Sequence, residues 1–452
     1  MIPAHIPRRS GTHLKHSGSK QPTAPRIIPR AAHRVSRKEI SKGALKVLYR
    51  LHKSGYQAFL VGGGVRDAML DLHPKDFDIA TNATPDEVQA LFDNCRLIGR
   101  RFRLAHIRFG REIIEVATFR AAALHEADDV EHDDEGRILR DNVYGTIEED
   151  VWRRDFTCNA LYYNIADFSI WDFVGGVRDV ERGHLVLIGD PQQRLREDPV
   201  RMLRAIRFAA KLDFTIDDSV ARAIHGHGDL LANVPAARLF DEFLKMFEGG
   251  HADKTFALLR EYRLFAQLFP ATDQELDEDP AFGEFVAAAL RNTDRRVQQG
   301  KSVTPMFLIG VFLWAPTLRL AAIRRSEEKM SESQSLSLAS YELAAQQQRR
   351  ISLPRRFTVP MREMLALQPR FLQTRGKRAM QLLEHRRFRA AYDFMLLRSE
   401  VGQFDSEVAR FWTRVQSEPA EERAASFEMR APGKGQRRRR RRGRRTDPAQ
   451  TS

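Results

Sequence analysis

A mixed α/β head followed by an all-helical neck and body, with disordered basic termini, is the architecture that this 452-residue sequence predicts. Three observations predict it. Between Phe59 and Asp78 an apolar run ends in three glycines, a short helical stretch follows, and the pair Asp76/Asp78 closes the segment; strand, loop and helix in such quick succession mark an α/β unit. Beyond Phe214 the apolar residues recur at helical spacing, segment after segment. Charge sits at the ends: residues 1–38 carry nine Lys/Arg and no acid, and residues 432–452 carry Lys434 and eight arginines against Asp447. These blocks of +9 and +8 exceed the chain's total of +14, which leaves residues 39–431 at −3. Runs of like charge repel, stay unfolded and commonly meet polyanions. The predicted boundaries are a basic tail over 1–38, a head over 39–188, a helical neck over 189–275, a helical body over 276–431 and an Arg-rich tail over 432–452.

Ile40, Leu45, Leu48 and Leu51 predict an amphipathic helix that Gly55 ends. The strand Phe59-Leu60-Val61 runs into Gly62, Gly63 and Gly64, where a ligand can approach backbone with no Cβ in the way. Arg66 and Asp67 follow, so N–H groups and a guanidinium gather into a plausible triphosphate cradle. A dinucleotide fingerprint fits poorly, because its third glycine would fall on Asp67. Asp76 and Asp78 share a face if extended, and two such carboxylates suit Mg²⁺, which completes its shell with substrate phosphates. Thr84-Pro85-Asp86-Glu87 predicts a capped helix start. Cys95–Ile107 reads as strand, basic turn and strand. In the next strand Glu115 faces opposite to Ile114 and Val116, either as a third carboxylate or as a solvated strand residue.

Residues 121–141 are polar, acidic and aperiodic, which predicts a flexible loop. His132-Asp133 within it lacks the further ligands that a metal-dependent phosphohydrolase needs. Ile147–Asn164 reads as one helix, with Asn159 a turn beyond Asp155. Phe168–Ile188 reads as short strands joined by turn chemistry around Gly175-Gly176. Asp198-Pro199 then predicts a cap and first turn, and Arg201, Arg204 and Arg207 stripe one flank of the helix that follows. The Ser/Gln-rich segment 327–350 has no evident place. Gly376–Val401 interleaves arginines with Phe388, Tyr392 and Phe394, a pattern of core aromatics or of a flank that tracks RNA. No apolar run reaches membrane-spanning length, the first forty residues lack the apolar stretch of a secretory signal, and Cys95 and Cys158 without CxxC spacing point to a reducing cytoplasm and away from structural zinc.

Taken together, GG-x-V-R-D with D-F-D, the Leu-Ile-Gly-Arg-Arg-Phe turn, RRDFT-x-NALYY, Glu197-Asp198-x-x-Arg201, GKRA and LLEH-x-x-FRAAYD resemble the polymerase-beta-like nucleotidyltransferases, in the group holding bacterial poly(A) polymerases and CCA-adding tRNA nucleotidyltransferases. The likeness spans most of residues 55–400, and the LIGRRF turn resembles the poly(A) branch. It implies transfer of AMP from ATP to an RNA 3′-OH with release of pyrophosphate, in a setting of mRNA processing and RNA decay. It implies Asp76 and Asp78 as ligands of two Mg²⁺ ions, one lowering the pKa of the 3′-OH and one stabilising the leaving pyrophosphate. Asp155 or Glu115 would be a third carboxylate. Gly62, Gly63, Arg66, Asp67 and Arg154 would grip the triphosphate, Asp155 would help Arg154 bind sugar and triphosphate, Asn159 would meet the ribose, and Asp198 and Arg201 the adenine, with Arg204 nearby. The expected partners are RNA 3′ ends and RNA-decay proteins, and the expected state is a cytoplasmic monomer without a membrane span. The rival expectations are a CCA-adding enzyme and a catalytically idle RNA-binding protein; the intact Asp76/Asp78 pair speaks against the latter.

Overall fold

The computed structural model describes residues 24–74, 76–99, 103–121 and 144–427. The loop predicted over 121–141 lies beyond them except for Ala121. So do His132-Asp133, the Arg-rich tail, the first 23 residues, and Arg100, Arg101 and Phe102 of the LIGRRF turn. The chain divides into two compact units, Met1–Leu230 and Leu231–Ser452, a division that falls inside the predicted neck.

The first unit is built on an eight-stranded mixed sheet of strands β1 (Arg26–Ile28), β2 (Ala58–Val61), β3 (Asp78–Thr81), β4 (Cys95–Ile98), β5 (Leu104–Phe109), β6 (Glu112–Thr118), β7 (Leu161–Asn164) and β8 (Ile170–Asp172). Their spatial order is β1-β8-β7-β2-β3-β6-β5-β4. Every neighbouring pair is antiparallel except β3 and β6. β2 is buried along its whole length, as its apolar run predicts for a central strand. Phe59 meets Phe119, Tyr162 and Trp171 with ring centroids 6.2, 5.9 and 5.1 Å away, which builds the core on one face.

Helices α1 (Lys42–Lys53), α2 (Gly63–Met69) and α3 (Pro85–Leu91) form where caps and periodicity place them. Ser41 Oγ accepts from Ala44 N at α1, and Thr84 and Glu87 complete a reciprocal capping box at α3. Elsewhere the structure corrects the sequence reading. Residues 24–38 are not a disordered tail: Arg26–Ile28 pair with β8 and bury Ile28, and Val35 is fully buried. Ile147–Asn164 is not one helix. Helix α4 (Ile147–Arg153) stops, Thr157–Asn159 makes a single 3₁₀ turn, and Leu161-Tyr162-Tyr163 enter the sheet as β7, because two adjacent aromatics bury better between two strands than on a helix face. The glycine-rich stretch after Asp172 is a helix, α5 (Gly176–Arg182), rather than a turn. The Asp172 carboxylate accepts from the N–H groups of Val174, Gly175, Gly176 and Val177 and so holds its first turn. Next come α6 (Pro191–Glu197), which the sequence reading missed, α7 (Val200–Leu212) and α8 (Asp218–His227).

The second unit is helical throughout its described residues. Phe243, Phe247, Phe265 and Phe269 close around Phe312 with centroids 5.1–6.3 Å from it. The unplaced Ser/Gln segment is the helix Glu332–Gln347, started by a Ser331/Gln334 capping box. Its small Ser335 and Ser340 are buried, and Gln347 Nε2 donates to Leu268 O at 2.7 Å. Phe388, Tyr392 and Phe394 are buried, so the aromatics of that arginine-rich stretch are core and not a stacking platform. No single helix among the described residues is long and apolar enough to cross a membrane, and the bent pair Pro305–Phe312 and Trp314–Glu328 that approaches the criterion buries Leu308, Ile309, Val311 and Phe312 within the protein.

Candidate active site

Sheet register gathers carboxylates that lie far apart in the chain. β3 begins at Asp78, Asp76 stands two residues ahead, and the parallel pairing with β6 sets Glu115 opposite Asp78. Glu115 pairs in turn with His106, and His106 with Arg96. Asp78, Glu115, His106 and Arg96 therefore form one row across four strands, on one face of the sheet. His106 Nε2 lies 3.3 Å from Glu115 Oε1. Asp78 stays open to solvent at its surface, yet protein atoms crowd it. That desolvation, then the Glu115 charge, pushes its carboxyl up to about 6; Arg154 pulls the other way and Asp76 adds to the push. Among the described residues no three His, Cys, Asp or Glu side chains converge tightly enough to hold an ion unaided. Crowded carboxylates that want a counter-charge but do not complete a shell fit Mg²⁺ whose remaining ligands come from a nucleotide.

The glycine loop meets this row. Gly62 has φ 69° and ψ −135°, a conformation that side chains disfavour. A Cβ there would stand 3.8 Å from Arg154 Nη1 and 3.9 Å from Asp78 Oδ2. Backbone, guanidinium and carboxylate thus converge at the end of β2, with Gly63 opening α2 beside them. Arg154 is fixed by Asp150, whose Oδ2 accepts from its Nη2 at 3.0 Å, and by the Tyr162 hydroxyl 2.7 Å from its Nε. Burial works against the charged guanidinium, but Tyr162 and Asp150 outweigh it and raise its pKa above the ordinary arginine value.

Arg66 and Asp67 are not at the cleft surface, where the predicted cradle put them. Both are buried. Arg66 donates to Asp67 Oδ1 from Nε at 2.8 Å and from Nη2 at 2.5 Å, and to Asn159 Oδ1 from Nη1 at 2.5 Å. Asn159 Nδ2 donates to Asp155 Oδ1 at 3.2 Å, Asp155 Oδ2 accepts from Arg204 Nε at 2.6 Å, and Lys211 Nζ reaches Asp67 Oδ2 at 3.2 Å. A continuous brace therefore joins α2, the 3₁₀ turn and two points of α7. It takes up Asn159, predicted to bind ribose, and Asp155, predicted beside the metals. Glu115, not Asp155, stands alongside Asp78. Burial alone would raise the Asp155 carboxyl, but Arg204 and the N–H of Phe156 hold it below the usual range.

Asp198 caps α7 as predicted: its backbone is extended, its Oδ1 accepts from Val200 N at 3.2 Å and its carbonyl from Arg201 N, while Pro199 already has helical φ and ψ. Arg201 is half-buried and donates to Arg194 O at 2.7 Å, on the last turn of α6. Desolvation and the neighbouring Arg194 lower its pKa. Sequence reasoning missed Asp150, Tyr162, Arg194, Lys211 and His106. The i,i+4 spacing of Asp150 and Arg154 could have revealed the first. Nothing local points to Lys211, 144 residues from its partner, or to Arg194, whose Nη2 donates to Arg154 O at 2.7 Å.

A mixed sheet with a glycine loop at the end of its central strand, and carboxylates on the two strands beyond, is the frame of a nucleotidyltransferase head. Family models agree: "Poly A polymerase head domain" matches residues 58–186, "Probable RNA and SrmB- binding site of polymerase A" residues 213–276, and "Polymerase A arginine-rich C-terminus" residues 328–446. The chain is 47% identical to poly(A) polymerase I of Salmonella typhimurium over 413 residues, covering 89% of this chain and 88% of that one. It belongs to the bacterial poly(A) polymerase I family and is a nucleotidyltransferase. The CCA-adding enzyme of Bacillus pumilus is more distant, at 35% identity over 52% of this chain and 57% of its own length. The crystal structure of the Bacillus stearothermophilus CCA-adding enzyme in complex with CTP shares the fold, with a TM-score of 0.54 at 23% identity over 83% of this chain and 82% of that one.

Proposed function

We propose that this chain is a template-independent polynucleotide adenylyltransferase. It extends RNA 3′ ends with AMP from ATP, as a monomer in the cytoplasm, in the service of mRNA processing and decay. The register of Asp78 against Glu115 beside the Gly62 loop carries this reading, since that arrangement brings acceptors for a cation to the place where a triphosphate meets backbone N–H groups. Asp76 and Asp78 would hold two Mg²⁺ ions and Glu115 would contribute the third carboxylate; ions held there would supply positive charge against the departing pyrophosphate and would make the 3′-OH more acidic. The bond from the RNA 3′ oxygen to the α-phosphorus forms as the bond to pyrophosphate breaks, and the hydroxyl proton leaves to solvent. In this scheme Gly62 and Gly63 admit the phosphates to the backbone. Arg154, locked by Asp150 and Tyr162, offers Nη1 to them at little further entropic cost. Arg66, Asp67, Asn159 and Asp155 position rather than touch substrate, and they couple the loop to α7. Asp198 and Arg201 read the adenine edge, because a carboxylate and a guanidinium together match a donor–acceptor pattern; Arg204 is held beside them by Asp155.

Substitution tests the carboxylates. Asp76→Ala with Asp78→Ala should lower AMP incorporation by at least about 10³-fold, the scale of losing a principal electrostatic stabiliser, while RNA affinity measured without ATP stays within twofold. Incorporation by the double variant within tenfold of wild type would remove these residues from the chemistry.

A further inference from the structure

We propose that the second unit carries a non-catalytic nucleotide site for one internal residue of single-stranded RNA. The proposal deepens the adenylyltransferase reading, and its site is a cavity of about 280 Å³ between the helices Pro280–Gln298, Pro305–Phe312 and Phe388–Glu400. Arg296, Arg386, Arg387 and Arg389 line it over a floor that includes Met306 and Phe307, and Asp393 is the only acid in the lining. Arg386 and Arg387 share one carboxylate, Glu363, and Arg389 takes Asp393 at 3.0 Å. Four guanidinium groups thus answer to two acids. The Arg386 and Arg389 side chains are 67% and 73% exposed, so their remaining N–H groups face solvent.

The helix ends add to this charge. Pro305–Phe312 and Phe388–Glu400 both start at the cavity, and neither has an acid in its first turn or a side-chain cap. Pro305 has no N–H, and the N–H groups of Phe307 and Phe388 are taken by Thr304 O and His385 O, so what these helix ends add is the positive end of each dipole, uncancelled by an acid. An anion with a flat apolar portion satisfies both halves of such a site. Guanidinium forks match phosphate oxygens, and Phe307, half-buried with its ring 5.8 Å from that of Phe394, offers a seated aromatic surface. The volume is at the small end of ligand cavities and suits one nucleotide rather than a folded element. RNA is the occupant favoured over a free nucleotide because the arginines spread along the rim, where a phosphodiester chain passes on both sides of a seated base.

The test uses the full chain and three probes: an unstructured RNA oligomer, free AMP, and heparin. Without ATP, Arg386→Glu with Arg389→Glu should weaken oligomer binding by about fivefold or more and flatten its salt dependence by about 0.7 per lost phosphate contact. With ATP, the KM for RNA should rise while kcat and the KM for ATP hold. A second variant, Val303→Trp, keeps every charge and fills the cavity; it should weaken the oligomer and leave heparin binding unchanged. Photo-cross-linking of 4-thiouridine RNA should label Met306 or Phe307 in wild type only. Equal loss for heparin and oligomer in the charge variant, with no effect of Val303→Trp, would reduce the site to a general basic patch and overturn the proposal. Saturable AMP binding that Val303→Trp abolishes while RNA affinity is untouched would overturn RNA as the occupant. Because binding is read without ATP, a wild-type protein that binds RNA here but adds no AMP would refute the catalytic reading alone.

Discussion

At the residue scale the ion pair of Asp155 and Arg204 decides how the head behaves on acidification. Its folded-state carboxyl is depressed, so the stability it contributes is present above the unfolded value of about 3.9 and is lost as pH falls through the folded one. Arg204→Ala leaves a buried carboxylate with less compensation and should cost about 3 kcal/mol at neutral pH. Burial then raises the carboxyl, so the neutral form is tolerated and the deficit against wild type should shrink toward pH 4. Urea melts of both proteins at the two pH values check this, and an equal deficit at both would show that the pair is not the source. Cys158 offers a second probe. Burial pushes its thiol up to about 12, outweighing the Arg66 charge, and the thiolate is the reactive form. Disulfide exchange with a chromogenic reagent at pH 8 should leave Cys158 unmodified in the folded protein, with labelling that follows global unfolding. Rapid labelling without urea would contradict the packing around the 3₁₀ turn.

At the element scale the most demanding contact is between α5 and that same turn. A Cβ on Gly176 would fall 2.2 Å from Thr157 O, where neither backbone can give way cheaply. Gly176→Ala should cost about 2 kcal/mol or more and disturb Arg154 and Asp155 through the turn between them. Gly226 is the control: it lies exposed in α8 with nothing within 4 Å of its would-be Cβ, so Gly226→Ala should stabilise by about 0.5 kcal/mol. Thermal melts that ranked the two the other way would refute this. The contrast also shows what could be read from sequence. α1 and α3 were legible because caps and periodicity are local, and β2 because a short apolar run bounded by glycines has few alternatives. β1 was not, since three residues of a basic, proline-containing segment become a strand only when β8 offers an edge. β7 was hidden because RRDFTCNALYY continues a helical pattern, and only burial between β2 and β8 turns it into the sheet. Asp76, Asp78 and Glu115 could be nominated from spacing, but the parallel β3–β6 register that aligns Asp78 with Glu115 is a tertiary fact. The burial of Arg66 and Asp67 is another, with Asn159 from the 3₁₀ turn bonded to the first and Lys211 from α7 to the second.

At the scale of the whole molecule the charge division matters most, with both ends strongly basic around a weakly acidic middle. Deleting residues 432–452 removes about eight net charges and should weaken RNA binding alike for all sequences, with the salt slope falling by up to about 0.7 per lost contact; incorporation on saturating RNA should persist, and an unchanged slope would show that this segment does not meet RNA. The central claim concerns which base is added and where addition stops. The fold alone is shared with CCA-adding enzymes, which makes product analysis decisive. Given Mg²⁺ and an unstructured RNA oligomer, the protein should extend it by tens of adenylates with ATP, roughly, and use CTP at least about 10²-fold less well, as a pocket that hydrogen-bonds one base edge can enforce. Addition of C, C and A to a tRNA lacking its 3′ end, followed by a stop and with no growth of the oligomer, would contradict the account.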